Sequence, residues 1–150
     1  MKNIFYKLIP ALLFLISFSG CGGNPPCRQI LPTTDFDINE YGCDMNYANM
    51  QQDLVYVINS EKEFENYFTC ESSPQIDFST KTLLVVYSTA PGGIENISTE
   101  LVLENNIYSL KVDIVLNEMC IAGEPWRIAV IVEKIHPKNV ILNININEIY

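Results

Sequence analysis

The sequence has few basic residues and a single histidine. Nine Lys and Arg stand against 18 Asp and Glu among 150 residues, which gives a formal net charge of −9. A chain of this sign is repelled by the phosphate backbone of DNA and RNA, so nucleic-acid binding is excluded. No cysteine pair has the C-x₂₋₄-C spacing of a zinc knuckle. The sequence therefore indicates no metal site and no cofactor.

The sequence also lacks an apolar run long enough to cross a bilayer, which takes about 20 residues. The apolar run at residues 8–18 is shorter, and it follows a segment that carries Lys2 and Lys7 and no acid. A basic segment, a short apolar core and small residues after it are typical of a secretory signal peptide. We therefore expect residues 1–20 to be a signal peptide.

Cys21 follows this segment directly. The stretch Phe18, Ser19, Gly20, Cys21 resembles the lipobox of bacterial lipoproteins, in which small residues precede a cysteine that becomes the new N-terminus. The resemblance implies a diacylglycerol on the Cys21 thiol and an acyl chain such as palmitate on its amine, which together anchor a protein stably in a lipid bilayer. The alternative is an ordinary signal peptide cut nearby, with Cys21 as one more secreted cysteine.

The residues after Cys21 bear on location and domain organisation. By analogy with lipoprotein sorting, Gly22, where an inner-membrane lipoprotein would have Asp, implies the outer membrane. No acidic run follows Cys21, which favours the periplasmic face of that membrane over the cell surface. Residues 21–34 are rich in Gly and Pro, so we expect a flexible tether there. Residues 35–150 are then one β-rich globular domain, because a mature chain of about 130 residues is long enough to bury a core.

Four cysteines remain if Cys21 is acylated, and an even number suits two disulfides in an oxidising compartment. Four cysteines allow three connectivities. A strand over residues 53–60 and a helix packed back along it would return Cys70 to the segment that holds Cys43. We predict a Cys43–Cys70 disulfide, which leaves Cys27 and Cys120 as a second pair.

The pattern predicts one helix, at about residues 61–70. Ser60 and Glu63 form the S-x-x-E capping box that begins a helix. Phe64, Tyr67 and Phe68 are spaced to form one apolar stripe on its surface.

Strand patterns occupy much of the remaining chain. Residues 82–87 form a continuous apolar run, as expected for a central strand covered on both faces. Asn105 and Asn106 supply a hairpin turn. Apolar and polar residues alternate over residues 108–117, 126–132 and 140–147. The predicted class is mainly β, either an antiparallel sandwich or a curled sheet, with about six to seven strands and one short helix.

Residues 55–146 resemble a class of small, uncharacterised bacterial envelope lipoproteins. The segments that carry this resemblance are VYVINSEKEFENYFTC, IDFSTKTLLVVYS and WRIAVIVEKIHPKNVILNI. A looser resemblance is to the C-terminal domain of PrcB-like protease-complex subunits, in which an I/V-D-F segment, an apolar strand, a Gly-Gly turn and a hairpin follow one another. Residues 76–78, Gly92 and Gly93 match that order, whereas Ile94 stands where the pattern has Tyr. Both resemblances imply an envelope accessory or binding domain.

Three features could carry chemistry or binding. The acidic stretch at residues 35–44 invites a calcium site, but Glu40 and Asn46 stand at the sixth and twelfth positions, where an EF-hand loop needs Gly and Glu. We therefore expect a solvated acidic loop, with non-standard calcium coordination as the alternative. His136 would need Cys120 or a serine beside it to act as a catalytic base. Trp126 with Gly92 and Gly93 is the candidate binding patch, and the alternative is that Trp126 begins a core-facing strand.

We expect a non-enzymatic, membrane-anchored lipoprotein that is an accessory or binding domain for another envelope component. Its partners would be the bilayer, through acylated Cys21, and an envelope protein. A protease-associated assembly or inhibitory module is the alternative that the PrcB-like resemblance implies. A small envelope hydrolase that uses His136 is a third hypothesis, although no catalytic constellation is visible in the sequence.

Overall fold

The computed structural model describes residues 28–117, 122–136 and 140–148, which form ten strands and one α-helix. A short 3₁₀ helix covers Tyr47–Asn49. The strands are β1 (Gln29–Leu31), β2 (Thr33–Asp35), β3 (Cys43–Met45), β4 (Tyr56–Ile58), β5 (Phe68–Cys70), β6 (Lys81–Ala90), β7 (Gly93–Glu104), β8 (Ile107–Asn117), β9 (Glu124–Glu133) and β10 (Ile141–Glu148). The helix α1 covers Glu61–Tyr67. The mainly β class expected from the sequence is confirmed.

Two four-stranded sheets pack face to face as a sandwich. The first sheet has the order β1-β7-β8-β10, and the second has the order β2-β9-β6-β4. All pairs in both sheets are antiparallel except β8 and β10, which are parallel. Asn105 and Asn106 both have positive φ, at 51° and 63°, and form the two-residue turn predicted between β7 and β8.

Apolar residues fill the space between the two sheets. The prediction that β6 is covered on both faces is confirmed, since Leu84 and Val86 face the first sheet while Leu83 and Val85 face the opposite way. The β9 residues predicted to share one side also belong to the core between the sheets; they are Trp126, Ile128, Val130 and Val132.

A third layer covers the outer face of the second sheet. It consists of α1 and a small antiparallel sheet of β3 and β5. Phe64 of α1 and Phe68 of β5 stack at a centroid separation of 4.7 Å and pack in one buried cluster with Leu83 and Val85 of β6. The molecule is therefore both a sandwich and a sheet covered by a helix.

A disulfide joins β3 to β5. Cys43 and Cys70 lie directly opposite each other and are bonded, in agreement with the predicted pairing. The next residue pair, Gly42 and Glu71, is hydrogen-bonded, since Glu71 N donates to Gly42 O. Hydrogen-bonded and non-hydrogen-bonded pairs alternate along antiparallel strands, so Cys43 and Cys70 form a non-hydrogen-bonded pair, the type in which the side chains come closest.

Three expectations need correction. The helix ends at Tyr67 and not near residue 70, because Phe68–Cys70 pairs with β3. The described residues form ten strands and not six or seven, and β10 runs parallel to β8. The expected tether at residues 21–34 contains all of β1 (Gln29–Leu31) and the first two residues of β2 (Thr33–Asp35), both edge strands. In the part of the chain that the structure describes, no helix has the length and apolar character to cross a membrane.

Candidate functional site

An open cleft of about 620 Å³ lies at the end of the second sheet. Three chain segments form it: the 3₁₀ helix with the loop after it, the end of β6 and the start of β9. We call it the aromatic cleft, and its lining residues are Tyr47, Gln52, Tyr87, Ser88, Pro125, Trp126 and Arg127.

Strand register places the cleft's central residues. Tyr87 of β6 is the cross-strand neighbour of Arg127 on β9, and Ser88 is the neighbour of Trp126. Tyr47, which is 51% exposed, packs edge-on against Tyr87 with ring centroids 5.1 Å apart. At the cleft β6 and β9 pair only with each other, beyond the residues that pair with β4 and β2, so the base of the cleft is a two-stranded extension of the sheet.

Hydrogen bonds hold the loop of residues 50–53 against β6. The Tyr87 hydroxyl donates to the Met50 carbonyl at 3.1 Å, and Asp53 N donates to the Tyr87 carbonyl at 3.2 Å. The hydroxyl of buried Ser88 donates to the Asp53 carboxylate. Asp53 has φ of 61°, in the left-handed region that Asp tolerates better than most residues, so these bonds hold a locally unfavourable backbone.

Arg127 supplies positive charge at the cleft. Its Nη2 donates to Asn39 Oδ1 at 2.6 Å, and Asn39 N in turn donates to Asp37 Oδ1 at 2.9 Å. Asn39, itself held by Asp37, thus fixes the position of the guanidinium. A guanidinium has five N–H donors in a planar fork, so this geometry leaves donors that can bind a carboxylate or a carbonyl.

The chemistry of the cleft suits protein recognition. Tyr, Trp and Arg are the residue types that dominate binding energy at protein interfaces. Tyrosine offers a rigid apolar ring together with a polar hydroxyl, so it covers a large contact area at a small cost in side-chain entropy.

A second cavity, of about 690 Å³, lies between α1 and residues 73–78. Phe64, Phe68 and Phe78 line it, together with the acidic residues Glu61, Glu65 and Asp77. The Ile76, Asp77 and Phe78 stretch that resembles PrcB-like domains lies here. The protease-associated role that this resemblance implies stays a prediction.

Asp77 is engaged in its own turn and has little capacity to bind a ligand. Its Oδ1 accepts from the Ser79 hydroxyl and from Ser79 N at 3.0 Å, and its Oδ2 accepts from the Thr80 hydroxyl at 2.9 Å. The bond from the Ser79 hydroxyl, followed by those from Thr80 and from the Ser79 amide, lowers the pKa of Asp77 below its ordinary value of 3.8. Asp77 therefore caps the turn that leads into β6.

The predicted binding patch is only partly represented in the cleft. Gly92 and Gly93 are buried where β6 passes into β7, and neither has a positive φ. Trp126 is only 8% exposed and belongs to the core between the sheets, although it lines the aromatic cleft. The structure therefore favours the alternative in which Trp126 begins a core-facing strand.

The other candidate residues do not assemble a catalytic or metal centre among the described residues. No group of three or more His, Cys, Asp or Glu side chains in the described ranges could hold a metal ion, and residues 35–44 supply no such group. His136 is exposed after β9 and forms no hydrogen bond to a described serine or cysteine. Cys21, Cys27 and Cys120 lie outside the described residues, so the acylation site and the Cys27–Cys120 pair stay predictions.

Sequence reasoning missed Tyr47, Tyr87 and Arg127 as site residues. The sequence pattern places Tyr87 at the end of a strand predicted to be buried, and Tyr47 lies in a segment without periodicity. The available signal was composition, since the chain has eight tyrosines and one tryptophan. Only the fold brings the three segments together.

The fold and the cleft together define a class: a β-sandwich domain with a helical outer layer and an open aromatic cleft. No family model, curated protein or solved structure matches the chain.

Proposed function

We propose that the protein is a non-enzymatic lipoprotein whose β domain binds another envelope protein through the aromatic cleft. The observation that carries the binding role is the cleft itself, where Tyr47, Tyr87 and Arg127 come together at the paired ends of β6 and β9. The anchoring role rests on the lipobox-like stretch that ends at Cys21. The anchor would hold the domain at the periplasmic face of the outer membrane.

The net charge of −9 bears on the partner's chemistry. A surface of this sign favours encounter with a basic patch on the partner. Arg127 is a local positive charge on this acidic protein. The partner segment that enters the cleft would therefore offer a carboxylate or a backbone carbonyl to Arg127, next to an apolar side chain that contacts the aromatic rings.

Affinity capture from detergent-solubilised envelopes tests the binding role. We expect the full-length wild type to retain a specific protein that Tyr47→Ala and Arg127→Ala each lose. Ile107→Ala is the matched control, because Ile107 is also 51% exposed but lies on β8 in the other sheet. Recovery of the same proteins by all four chains would contradict the proposal.

Fractionation and mass spectrometry test the anchor separately. We expect the N-terminal peptide of the mature protein to begin at Cys21 and to carry acyl chains. Cys21→Ser should either release the protein into the soluble fraction or leave it as a precursor with its signal peptide attached. An unmodified residue 21 in the native protein would contradict the anchoring role and leave the binding role to its own test.

A further inference from the structure

The outer face of the first sheet carries an apolar patch at one end. The strand register places Ile30 of β1 opposite Val102 of β7. Val102 in turn lies opposite Ser109 of β8, and Ser109 lies opposite Ile141 of β10, so these residues form one row across the sheet. Ile107 precedes Ser109 by two residues on β8 and therefore shares its face. We call Ile30, Val102, Ile107 and Ile141 the outer apolar patch.

The isoleucines of the outer apolar patch are unusually exposed. The row faces away from the core between the sheets, because Leu110, the residue after Ser109, belongs to that core. Ile30 is 60% exposed, Ile107 is 51% exposed and Ile141 is 50% exposed. Half of the six large apolar side chains that are exposed in the described part of the chain thus lie in this one patch.

The patch lies where the chain enters the domain from its N-terminal side. β1 begins at Gln29, which pairs with Leu103 one residue before the end of β7. Cys21 precedes Ile30 by nine residues. At about 3.3–3.6 Å per residue, such a segment reaches at most about 30 Å, whatever its path. An acyl anchor on Cys21 therefore keeps the patch close to the membrane.

We propose that the outer apolar patch rests on the surface of the bilayer in which Cys21 is anchored. The inference rests on the anchor of the proposed function and extends it to a contact made by the folded domain. The length of the connecting segment identifies the occupant, because a surface held by the chain itself is present at a high effective concentration. Aliphatic side chains without hydrogen-bonding groups gain free energy when they leave water for the boundary between headgroups and acyl chains.

The charged residues beside the patch allow this approach. Arg28 Nη2 donates to Glu100 Oε2 at 3.1 Å, and Lys111 Nζ lies 3.9 Å from the same oxygen. Glu104, which lies on the same face of β7 as Glu100, supplies a second carboxylate. These two basic and two acidic residues balance, so this part of an acidic protein is locally neutral and is not repelled by a lipid surface.

The contact also orients the aromatic cleft. β6 ends at Ala90 and β7 begins at Gly93, so the cleft at the end of β6 lies where β7 begins. Val102 of the patch is nine residues further along β7, a distance of about 30 Å in a strand. A domain that rests on the patch therefore holds the cleft away from the bilayer. Ile107→Ala stays a valid control for capture by the cleft, since that capture is done in detergent, which removes the bilayer.

Tryptophan fluorescence in vesicles tests the contact. The full-length acylated protein is reconstituted into phosphatidylcholine vesicles whose acyl chains carry bromine, which quenches nearby tryptophan. We expect Ile141→Trp to lose fluorescence relative to unbrominated vesicles, and Ile146→Trp to lose no more than native Trp126 does in the wild type. Ile146 is the matched control, because it lies on the same strand and is 45% exposed, but its position places it on the other face of the sheet.

Flotation of the same vesicles separates the anchor from the patch. A wild type that does not float with the vesicles overturns the anchor, and this inference with it. A protein that floats but is quenched equally at positions 141 and 146 overturns the contact of the patch and leaves the anchor standing.

A second measurement does not depend on a tryptophan side chain. A benzophenone amino acid at position 141 should yield, after irradiation of intact cells, a protein whose mass has increased by that of a phospholipid. The same amino acid at position 146 should not. A discrete crosslinked protein product from position 141 would overturn the proposal, because the patch would then be covered by a partner protein.

Discussion

At the residue scale, one buried hydroxyl connects three elements. Thr82, which is fully buried on β6, donates from its hydroxyl to Asn59 Oδ1 and accepts from Ile135 N at 3.0 Å. Asn59 Nδ2 also donates to the Ile135 carbonyl at 3.2 Å. These bonds join the start of α1 to the end of β9 through β6, and they satisfy polar groups that have little access to water.

Replacing Thr82 by Val keeps the shape of the side chain but leaves Ile135 N and Asn59 Oδ1 each without this partner. We expect a loss of about 1–3 kcal/mol in the free energy of unfolding, measured by urea denaturation. Thr89→Val makes the same change at an exposed position of the same strand and should stay within about 0.5 kcal/mol of the wild type. Equal losses in both variants would contradict the role given to Thr82.

The lowered pKa of Asp77 predicts that the stability of the fold depends on pH. Its pKa is lower in the folded protein than in the unfolded chain, so its contribution to stability is present above the ordinary value of 3.8 and is lost as the pH falls through the lowered folded pKa. Asp77→Asn should therefore reduce stability at neutral pH and approach the wild type in strong acid. Denaturation curves across acidic pH check this, and a difference that stays constant with pH would count against it.

At the element scale, local interactions could be predicted from the sequence and long-range pairing could not. The start of α1 was predictable because Ser60 and Glu63 are close in the chain, and Glu63 N indeed donates to the Ser60 hydroxyl at 3.2 Å. The end of α1 was not predictable, because Phe68–Cys70 pairs with β3 instead of continuing the helix. The two strands are far apart in the sequence, since Cys43 and Cys70 are separated by 27 residues.

The disulfide gives the element-scale prediction. Strands of three residues form a marginal two-stranded sheet, so the Cys43–Cys70 bond is expected to hold β3 and β5 over the outer core cluster. The double variant Cys43→Ala with Cys70→Ala should lose about 3 kcal/mol of unfolding free energy. Reduction should produce a loss of similar size in the wild type and a much smaller one in the variant. If the variant matches the oxidised wild type, the bond contributes nothing to the fold.

At the scale of the whole molecule, strand patterns predicted the class but not the arrangement. Alternation over residues 140–147 identifies β10 and its inward face, but says nothing about its neighbour, and the parallel pairing with β8 follows from the path of the whole chain. β1 and β2 are too short for a periodic signal. The aromatic cleft was unpredictable for a related reason: Tyr47, Tyr87 and Arg127 come from three separate segments.

The most direct test of the account is photo-crosslinking in intact cells. A benzophenone amino acid replaces Tyr47 in the cleft in one chain and Ile107 on the opposite sheet in another; both native side chains are 51% exposed. If the cleft binds an envelope protein, irradiation should yield a discrete crosslinked product from position 47 that position 107 does not give. The same products from both positions, or none from position 47, would contradict a binding role for the cleft.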